Sequence, residues 1–294
     1  TMVAVSDEAL VVFGGGDDSR VYNDLYLLDI TNMFWSRIVP TYSMVGTSGS
    51  GLSVSVSVSA GGFSRSAHVP SPRWGHAAAL VAPGQFVVFG GHDGSSMLND
   101  VWHFDAVLCC WTQIHPRDMA EAPSPRAGHV MSAVGDTVVI FGGGDNEQVL
   151  NDLYLLVPIK PPQPPQLQRQ QHSQQQQLLQ QQSQLQQQQS QQQQQLPAVH
   201  YRWVKGPFNR DANPPPRCAH SVCAVPMRAL AQSFVPFAER TETGAPATAL
   251  VIFGGGDSTR RLKDIFFLDV PHLLHIVGQR DSPESKAQPG TAAG

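Results

Sequence analysis

The sequence predicts an all-β fold built from four copies of one small antiparallel sheet. An apolar strand that ends in glycines recurs four times, at 11–16, 87–91, 138–144 and 250–256. A second β-compatible segment follows each of these strands and begins at Asn23, Asn99, Asn151 and Lys263. Only 14% of the residues are charged, whereas glycine and proline supply 26 and 23 positions, a composition typical of many short strands joined by turns.

The glycines that end the first of these segments form a double-glycine motif in every copy. Glycine takes up positive φ angles or admits a close neighbouring backbone without strain, so we expect one of these roles at each pair. The pairs are Gly14 with Gly15, Gly90 with Gly91, Gly142 with Gly143, and Gly254 with Gly255.

A tryptophan follows the second segment in three copies, at Trp35, Trp111 and Trp203. Its distance from the first glycine is the same in copies one and two, and a glutamine-rich tract accounts for the extra length in copy three. Each tryptophan is expected to be a large apolar plug between neighbouring sheets. Copy four has none after Asp269, and 272–277 is its remaining candidate for a last strand.

Each copy is therefore predicted to contain four strands, a to d. Strand a follows a proline-arginine turn, strand b ends at the double glycine, strand c follows Asn-Asp or Lys-Asp, and strand d carries the tryptophan. The turns are Ser71–His76, Ser124–His129 and Pro215–His220, so copy one is expected to lack strand a. Because one such sheet cannot bury its faces alone, the copies must stack as the blades of a β-propeller.

These motifs resemble the kelch repeat. The double glycines, the spaced Asn-Asp or Lys-Asp and the late tryptophan provide the resemblance, which covers nearly the whole chain apart from three inserts and the last residues. Similar propellers usually close with about six or seven blades. The resemblance thus implies a partial kelch-type β-propeller, with three to four blades of four antiparallel strands and long disordered inserts. We expect a fragment whose unpaired strand edges are exposed.

The predicted domain organisation follows the copies. Blade 1 occupies 1–40 without strand a, blade 2 occupies 71–115, blade 3 occupies 123–206, blade 4 occupies 214–279, and 280–294 form a disordered tail. Three inserts interrupt this plan at connections, where extra length costs little stability. They are the Ser/Gly/Val-rich 41–70, the Pro/Gln-rich 157–200, and 226–247.

Two of the inserts have patterns of their own. Alternating Val and Ser in 53–59 fits an extra edge strand, and a flexible linker is the equal alternative. In the low-complexity polyglutamine insert, four leucines would fall on one narrow stripe of a helix, and our hypothesis is that this segment can become helical and pair with a coiled-coil partner. The alternative is a glutamine expansion with incidental leucines. These leucines are Leu167, Leu178, Leu185 and Leu196.

Composition and charge exclude several classes of function. The net charge is −4 and the basic residues are scattered, so no nucleic acid partner is expected. There is no apolar run of membrane-spanning length and no visible secretory signal, so we expect no membrane and a cytoplasmic location. The four cysteines match no common zinc spacing and are expected to be reduced thiols. No cofactor and no metal are predicted. The cysteines are Cys109, Cys110, Cys218 and Cys223.

Residues that repeat at one position in three of the copies are expected to serve the architecture of the blades rather than chemistry. Such positions are held by His76, His129 and His220, and by Arg73, Arg126 and Arg217. The arginines are expected to pin strand starts or to pair with a repeated acid such as Asp100 or Asp152. The glycine runs lack the lysine of a phosphate loop, and no hydrolase motif is present, so this segment is predicted not to be an enzyme.

The b–c loops vary in sequence while their frame repeats, which makes them candidate binding elements together with the d–a loops at the same end. The sequence therefore predicts a scaffold or adaptor that binds other proteins there. The alternative is a regulatory or substrate-binding part of a larger enzyme, such as a phosphatase or ubiquitin-ligase subunit, with its catalytic domain outside these residues. The candidate partner-binding residues are Asp17, Asp18, Arg20, His92, Asp93, Asp145, Asn146, Glu147, Asp257, Arg260 and Arg261.

Overall fold

Four small antiparallel sheets form the structure, a computed structural model. It describes residues 1–40, 44–46, 53–55, 69–117, 119–159, 200–206, 214–226 and 248–269. Within each sheet the strands lie side by side in the order in which the chain makes them. The sheets are the blades of an all-β propeller, which confirms the predicted fold class.

The strands of the four blades have the following bounds. Blade 1 contains β1 (Met2–Ser6), β2 (Ala9–Gly16), β3 (Val21–Asp29) and β4 (Phe34–Ile38). A separate pair, β5 (Met44–Gly46) and β6 (Ser53–Ser55), follows it. Blade 2 contains β7 (Ala77–Ala82), β8 (Gln85–His92), β9 (Met97–Asp105) and β10 (Cys110–Ile114). Blade 3 contains β11 (Val130–Val134), β12 (Thr137–Gly144), β13 (Val149–Ile159) and β14 (His200–Lys205), and blade 4 contains β15 (Ser221–Pro226), β16 (Thr248–Phe253) and β17 (Ile265–Asp269).

Blade 1 has the first strand that the sequence analysis expected it to lack. Strand β1 pairs with β2 in antiparallel register, with Val3 opposite Val11, and Val3 and Val5 are buried. The expectation was wrong because it took the proline-arginine turn as the marker of strand a. Alternate burial along β1 and hydrogen bonding to β2 are enough to form this strand without that turn.

The glutamine-rich insert is shorter than predicted at both of its ends. Strand β13 continues to Ile159 and β14 begins at His200, and these two residues pair with each other. The predicted bounds 157–200 were therefore too wide, because the hairpin continues as long as each strand finds a partner on the other. Residues 160–199, with the four leucines of the predicted helical stripe, lie outside the described residues.

The other inserts are described only in part. Ser53–Ser55 pairs with Met44–Gly46 in a two-stranded sheet of its own rather than along a blade edge. The third insert lies between the paired strands β15 and β16, and its first predicted residue, Pro226, is the last residue of β15. Most of that insert, the candidate strand 272–277 and the predicted tail lie outside the described residues.

Three apolar cores lie between consecutive blades. The tryptophan of one blade packs on the strand b phenylalanine of the preceding blade: Trp111 lies 4.9 Å from Phe13 between ring centroids, and Trp203 lies 5.3 Å from Phe89. Both tryptophans are buried, so the predicted plug role is confirmed for them. Trp35 is 50% exposed, because its face of blade 1 points away from blade 2.

The first strands of neighbouring blades lie against one another, β1 with β7, β7 with β11, and β11 with β15. They therefore form the inner edge of the propeller. Backbone hydrogen bonds join the turns that precede these strands: Gly128 N–H donates to Gly75 at 2.7 Å, and Ala219 N–H donates to Gly128 at 2.8 Å. These bonds bring the three proline-arginine turns together at one end of the propeller.

Candidate interaction surface

The repeated arginines hold that end together. Arg73 reaches Asp100 with two nitrogens, at 2.7 and 2.9 Å, and its Nη1 also donates to the carbonyl of Gly90 at 3.0 Å. The other two copies repeat this arrangement with Asp152 and Asp264, which confirms the predicted pairing. Burial alone would raise the pKa of Asp100, but the hydrogen bonds and charge of Arg73 outweigh it and the pKa is lowered.

The backbone of each arginine connects its blade to the preceding one. Arg73 N–H donates to the carbonyl of Tyr22 at 2.9 Å, and Gly15 N–H donates to the carbonyl of Arg73 at 2.8 Å. The asparagine of the Asn-Asp pair adds a further bond, since Asn23 donates to the carbonyl of Pro70 at 3.1 Å. Each proline-arginine turn is thus bonded to two blades at once, which makes the frame under the loops rigid.

The repeated histidines are buried at the joints between blades. His76, His129 and His220 each lie edge-on to a phenylalanine of the preceding blade, at 5.2, 5.2 and 5.5 Å between ring centroids. None of their ring nitrogens has a hydrogen bond of normal geometry within the described residues. Desolvation lowers the pKa of His76 and of His129 to about 3 and that of His220 to about 4. These histidines are therefore neutral packing groups at neutral pH.

The double glycines are required by two close approaches. Gly90 has a φ of +63°, and a Cβ placed on it would lie 2.8 Å from the carbonyl oxygen of Arg126 in the next blade. Gly91 has a φ of +99°, and its Cβ would lie 2.9 Å from the carbonyl oxygen of Trp74 in its own blade. The expectation of positive φ angles and close backbone contact is confirmed at both positions.

The first aspartate of every b–c loop folds the loop on itself. Asp93 Oδ1 accepts from the backbone N–H of Ser95 and Ser96 at 2.8 and 2.7 Å, and these bonds lower its pKa to about 2. Asp17, Asp145 and Asp257 accept two backbone bonds in the same way. These four candidates therefore shape the loops, and one carboxylate oxygen of each is already engaged.

The remaining candidates lie at the surface of the same end. Arg20 donates from Nε to the hydroxyl of Tyr22 at 2.8 Å, and Tyr22 donates to Asp17. Arg260 donates to Asp257 at 3.3 Å but remains 68% exposed. His92 accepts from Gly94 N–H at 2.9 Å. The candidates whose side chains extend outward are Asp18, Asn146, Glu147 and Arg261, all of them exposed.

Trp74 is an exposed aromatic residue at this end that the sequence analysis did not select. Its side chain is 46% exposed and lies 5.3 Å from His92 between ring centroids. The backbones of the two residues exchange hydrogen bonds of 3.0 and 2.9 Å. The equivalent positions hold Ala127 and Cys218, so the departure from the repeat was the signal that could have identified Trp74.

The b–c loops of blades 1 and 2 come close to each other. A Cβ on Gly94 in the loop of blade 2 would meet the side chain of Val21 in blade 1 at 3.6 Å. The b–c loops of the four blades and Trp74 lie at this end, which we call the loop face. Of the histidines, cysteines and acids in the described ranges, no three or more lie close enough together to hold a metal ion. No described helix is long and apolar enough to cross a membrane.

Comparisons with known proteins identify relatives that share the repeat of this chain. A family model described as the KLHDC2/KLHL20/DRC7 Kelch-repeats domain matches residues 57–228, more than half of the chain. The Arabidopsis thaliana Acyl-CoA-binding domain-containing protein 4 is 32% identical over 155 residues, which are 52% of this chain and 19% of that protein. The Mus musculus Rab9 effector protein with kelch motifs is 32% identical over 151 residues, 50% of this chain and 33% of that protein.

A shorter match is to a probable serine/threonine-protein kinase of Dictyostelium discoideum, 36% identical over 75 residues, 26% of this chain and 6% of that protein. The chain thus spans about a fifth of the length of the first relative and a third of that of the second. The matched family model, the double glycines, the arginine-aspartate pairs and the tryptophan joints together place this chain in the kelch-repeat family.

Proposed function

We propose that this chain is a protein-interaction scaffold or adaptor that receives partner polypeptides on the loop face. The observation that supports this most is Trp74, which stays 46% exposed beside His92 on a frame bonded to two blades. Tryptophan is the residue that most often dominates the binding energy of a protein interface. An aromatic anchor on a rigid frame gives affinity without a large cost in conformational entropy.

The polar and charged residues of the other b–c loops favour selectivity. Blades 1 and 4 carry Arg20, Arg260 and Arg261, and blade 3 carries Asn146 and Glu147 between them. A partner with acidic residues at the arginine loops and an apolar group at Trp74 would match this arrangement. Rim charges of this kind act mainly on association rate and on the choice of partner.

The test measures binding to a partner first captured with the full-length protein and then purified. We expect Trp74→Ala to weaken binding. The double variant Arg260→Glu, Arg261→Glu should also weaken binding, and more strongly at low salt than at high salt. The matched control is Val107→Ala, since Val107 is 86% exposed on the c–d turn at the opposite end. Equal affinity of the folded loop-face variants and the control would show that the loop face is not the binding surface.

A second function is supported by the lengths of the relatives. Much longer proteins, one of them named a probable kinase, share only a small part of their length with this chain. We therefore also consider a regulatory or substrate-binding role within a larger enzyme, such as a phosphatase or ubiquitin-ligase subunit. Its test is the activity of the full-length protein: loop-face variants would change its substrate preference, and a full-length protein without catalytic activity would refute this role.

The coiled-coil partner of the glutamine-rich insert and the cytoplasmic location of the protein remain predictions. We propose a coiled-coil partner for 166–196, which circular dichroism of that peptide tests, since no helix at any concentration would refute it. A cytoplasmic location is supported by the free thiols of Cys109, Cys110, Cys218 and Cys223. Microscopy of the full-length protein tests the location.

A further inference from the structure

Two of the three proline-arginine turns begin with a serine whose hydroxyl binds the arginine of the same turn. Nη2 of Arg73 donates to the hydroxyl of Ser71 at 3.0 Å, and Nη2 of Arg126 donates to the hydroxyl of Ser124 at 3.1 Å. With the bonds to the serine carbonyl, to the glycine carbonyl and to the aspartate, these contacts occupy all five N–H donors of each guanidinium. Each serine hydroxyl therefore lies against a buried cation whose donors are all engaged.

Blade 4 shows that the turn does not need this hydroxyl. The equivalent position is Pro215, and Arg217 still donates to the carbonyls of Pro215 and Gly254 at 3.2 and 3.0 Å. It also reaches both carboxylate oxygens of Asp264, at 2.8 and 3.0 Å. Arg217 is as fully buried as the other two arginines. Since the same turn forms without a serine, the serine hydroxyls of blades 2 and 3 are available for another role.

Both serines precede a proline at the surface of the propeller. Ser71 and Ser124 are half-buried, whereas Pro72 and Pro125 are exposed. A serine followed directly by proline is the sequence that proline-directed protein kinases require. The two turns therefore present the substrate sequence of this class of kinase, and the turn of blade 4 does not.

We propose that Ser71 and Ser124 are phosphorylated by a proline-directed protein kinase, and that the phosphate loosens the joint between two blades. In this reaction the serine oxygen forms a bond to the γ-phosphorus of ATP, and the bond from that phosphorus to the β–γ bridging oxygen breaks. ADP leaves, and the hydroxyl proton passes to the base of the kinase. The inference is independent of the partner-binding role, because it concerns the joints and not the occupant of the loop face.

The phosphate competes with an aspartate for one guanidinium. Nη2 of Arg126 donates to Asp152 at 3.0 Å and to the hydroxyl of Ser124 at 3.1 Å, so a phosphate on that hydroxyl lies beside the carboxylate. A phosphate adds about 1.5 to 2 negative charges at pH 7. One guanidinium cannot balance both anions where Asp152 is only 23% exposed, so repulsion and desolvation favour an opened turn.

An opened turn loses the backbone bonds that connect it to the preceding blade. The carbonyl of Arg126 accepts from Gly91 N–H at 2.8 Å, and Arg126 N–H donates to the carbonyl of Leu98 at 3.0 Å. In the turn of blade 2, the carbonyl of Arg73 accepts from Gly15 N–H at 2.8 Å. The amides of Gly15 and Gly91 therefore report on the two joints that the phosphates loosen.

Mass spectrometry tests the modification on the full chain. The protein is incubated with ATP, Mg²⁺ and a purified mitogen-activated protein kinase that phosphorylates a synthetic peptide of residues 119–129. The variant Ser282→Ala removes the Ser-Pro pair formed with Pro283, which lies outside the described residues. We expect phosphate at Ser71 and Ser124. Each phosphate should be lost in the matching alanine variant, which should stay folded because blade 4 has no serine at this position. Phosphate on the peptide but on neither serine of the protein would overturn the proposal.

Backbone hydrogen exchange in the 15N-labelled protein tests the effect on the joints. The amide of Gly143 is the matched control, because it donates to the carbonyl of Arg217 at 2.9 Å in the turn without a serine. After phosphorylation we expect exchange about tenfold faster or more at Gly15 and Gly91, and unchanged exchange at Gly143. Unchanged exchange at Gly15 and Gly91 would overturn the loosening of the joints. Equal acceleration at all three amides would also overturn it, since that result indicates general unfolding.

Discussion

Mild acid should destabilise the propeller through the three histidines at its joints. His76, His129 and His220 are buried, their ring nitrogens have no hydrogen bond of normal geometry within the part of the chain that the structure describes, and their pKa values lie at about 3, 3 and 4. In the unfolded chain the pKa returns to its ordinary value of 6.5. Between these values the unfolded state binds more protons than the folded state. The stability is therefore complete above about pH 6.5 and decreases as the pH falls.

The size of the effect follows from the two pKa values. A histidine with a pKa of 6.5 when unfolded and about 3 when folded contributes about 1.3 kcal/mol less stability at about pH 5.5 than at about pH 7. Three such residues together give about 4 kcal/mol, a large part of the ~5–15 kcal/mol stability of a typical domain. The pKa values of Asp100 and Asp264 are lowered below 3.8, so their stabilising contribution is lost only at lower pH.

The assay is urea unfolding at the two pH values, with the free energy of unfolding extrapolated to water. The test variants are His129→Phe and His129→Gln, which cannot titrate, and the control is His115→Gln, an exposed histidine. Each His129 variant should lose about 1.3 kcal/mol of the pH dependence whatever its stability at neutral pH, because the two values are compared within one variant. If both variants retain the full pH dependence of the parent protein, burial of a neutral His129 is not its cause.

Three further predictions concern stability at neutral pH, each measured by urea unfolding. Arg126→Ala should lower the free energy of unfolding by about 3–5 kcal/mol, because it leaves Asp152 and the Gly142 carbonyl without their partner. Arg126→Lys should recover only part of this loss, since an ammonium cannot make the bidentate pair. Full recovery by lysine would contradict the bidentate argument. Gly91→Ala should be more destabilising than Gly135→Ala. Both glycines have positive φ angles, +99° and +61°, which cost an alanine about 1–3 kcal/mol of strain, but a Cβ on Gly91 would lie 2.9 Å from Trp74 and His76 whereas one on Gly135 would meet nothing within 4 Å. Equal costs would contradict the crowding at Gly91. Trp111→Ala should lower the free energy of unfolding by about 3–5 kcal/mol and Trp35→Ala by under about 1 kcal/mol, because Trp111 is 3% exposed and Trp35 is 50% exposed. Similar losses would contradict the conclusion that Trp111, and not Trp35, packs between two blades.

The fold was predictable because the repeated residues are those that join one blade to the next. The double glycine, the tryptophan and the arginine with its aspartate make the contacts between neighbouring blades, so the same residues recur at similar spacings in the sequence. Strand β1 was missed because it has no such marker. The packing of His76 on Phe13 was not predictable, since that contact joins two copies and depends on how the sheets stack.

The candidate site was predictable only in its location. The sequence indicated the loop-bearing end, but it could not show that Asp17, Asp93, Asp145 and Asp257 turn inward to their own loops. Those bonds depend on the backbone conformation of a four-residue loop. The position of Trp74 could not be selected from the repeat, because the equivalent positions hold Ala127 and Cys218 and its exposure depends on the folded turn.

The pairing of Ile159 with His200 has a consequence for chains that differ in the length of the glutamine tract. The hairpin of β13 and β14 fixes both ends of the tract, so added or lost glutamines do not change the register of blade 3. The entropy of loop closure grows only slowly with length, by about 0.6 kcal/mol for each doubling. Alleles with different repeat numbers should therefore share one propeller geometry, and any difference in their behaviour has to arise in the tract itself.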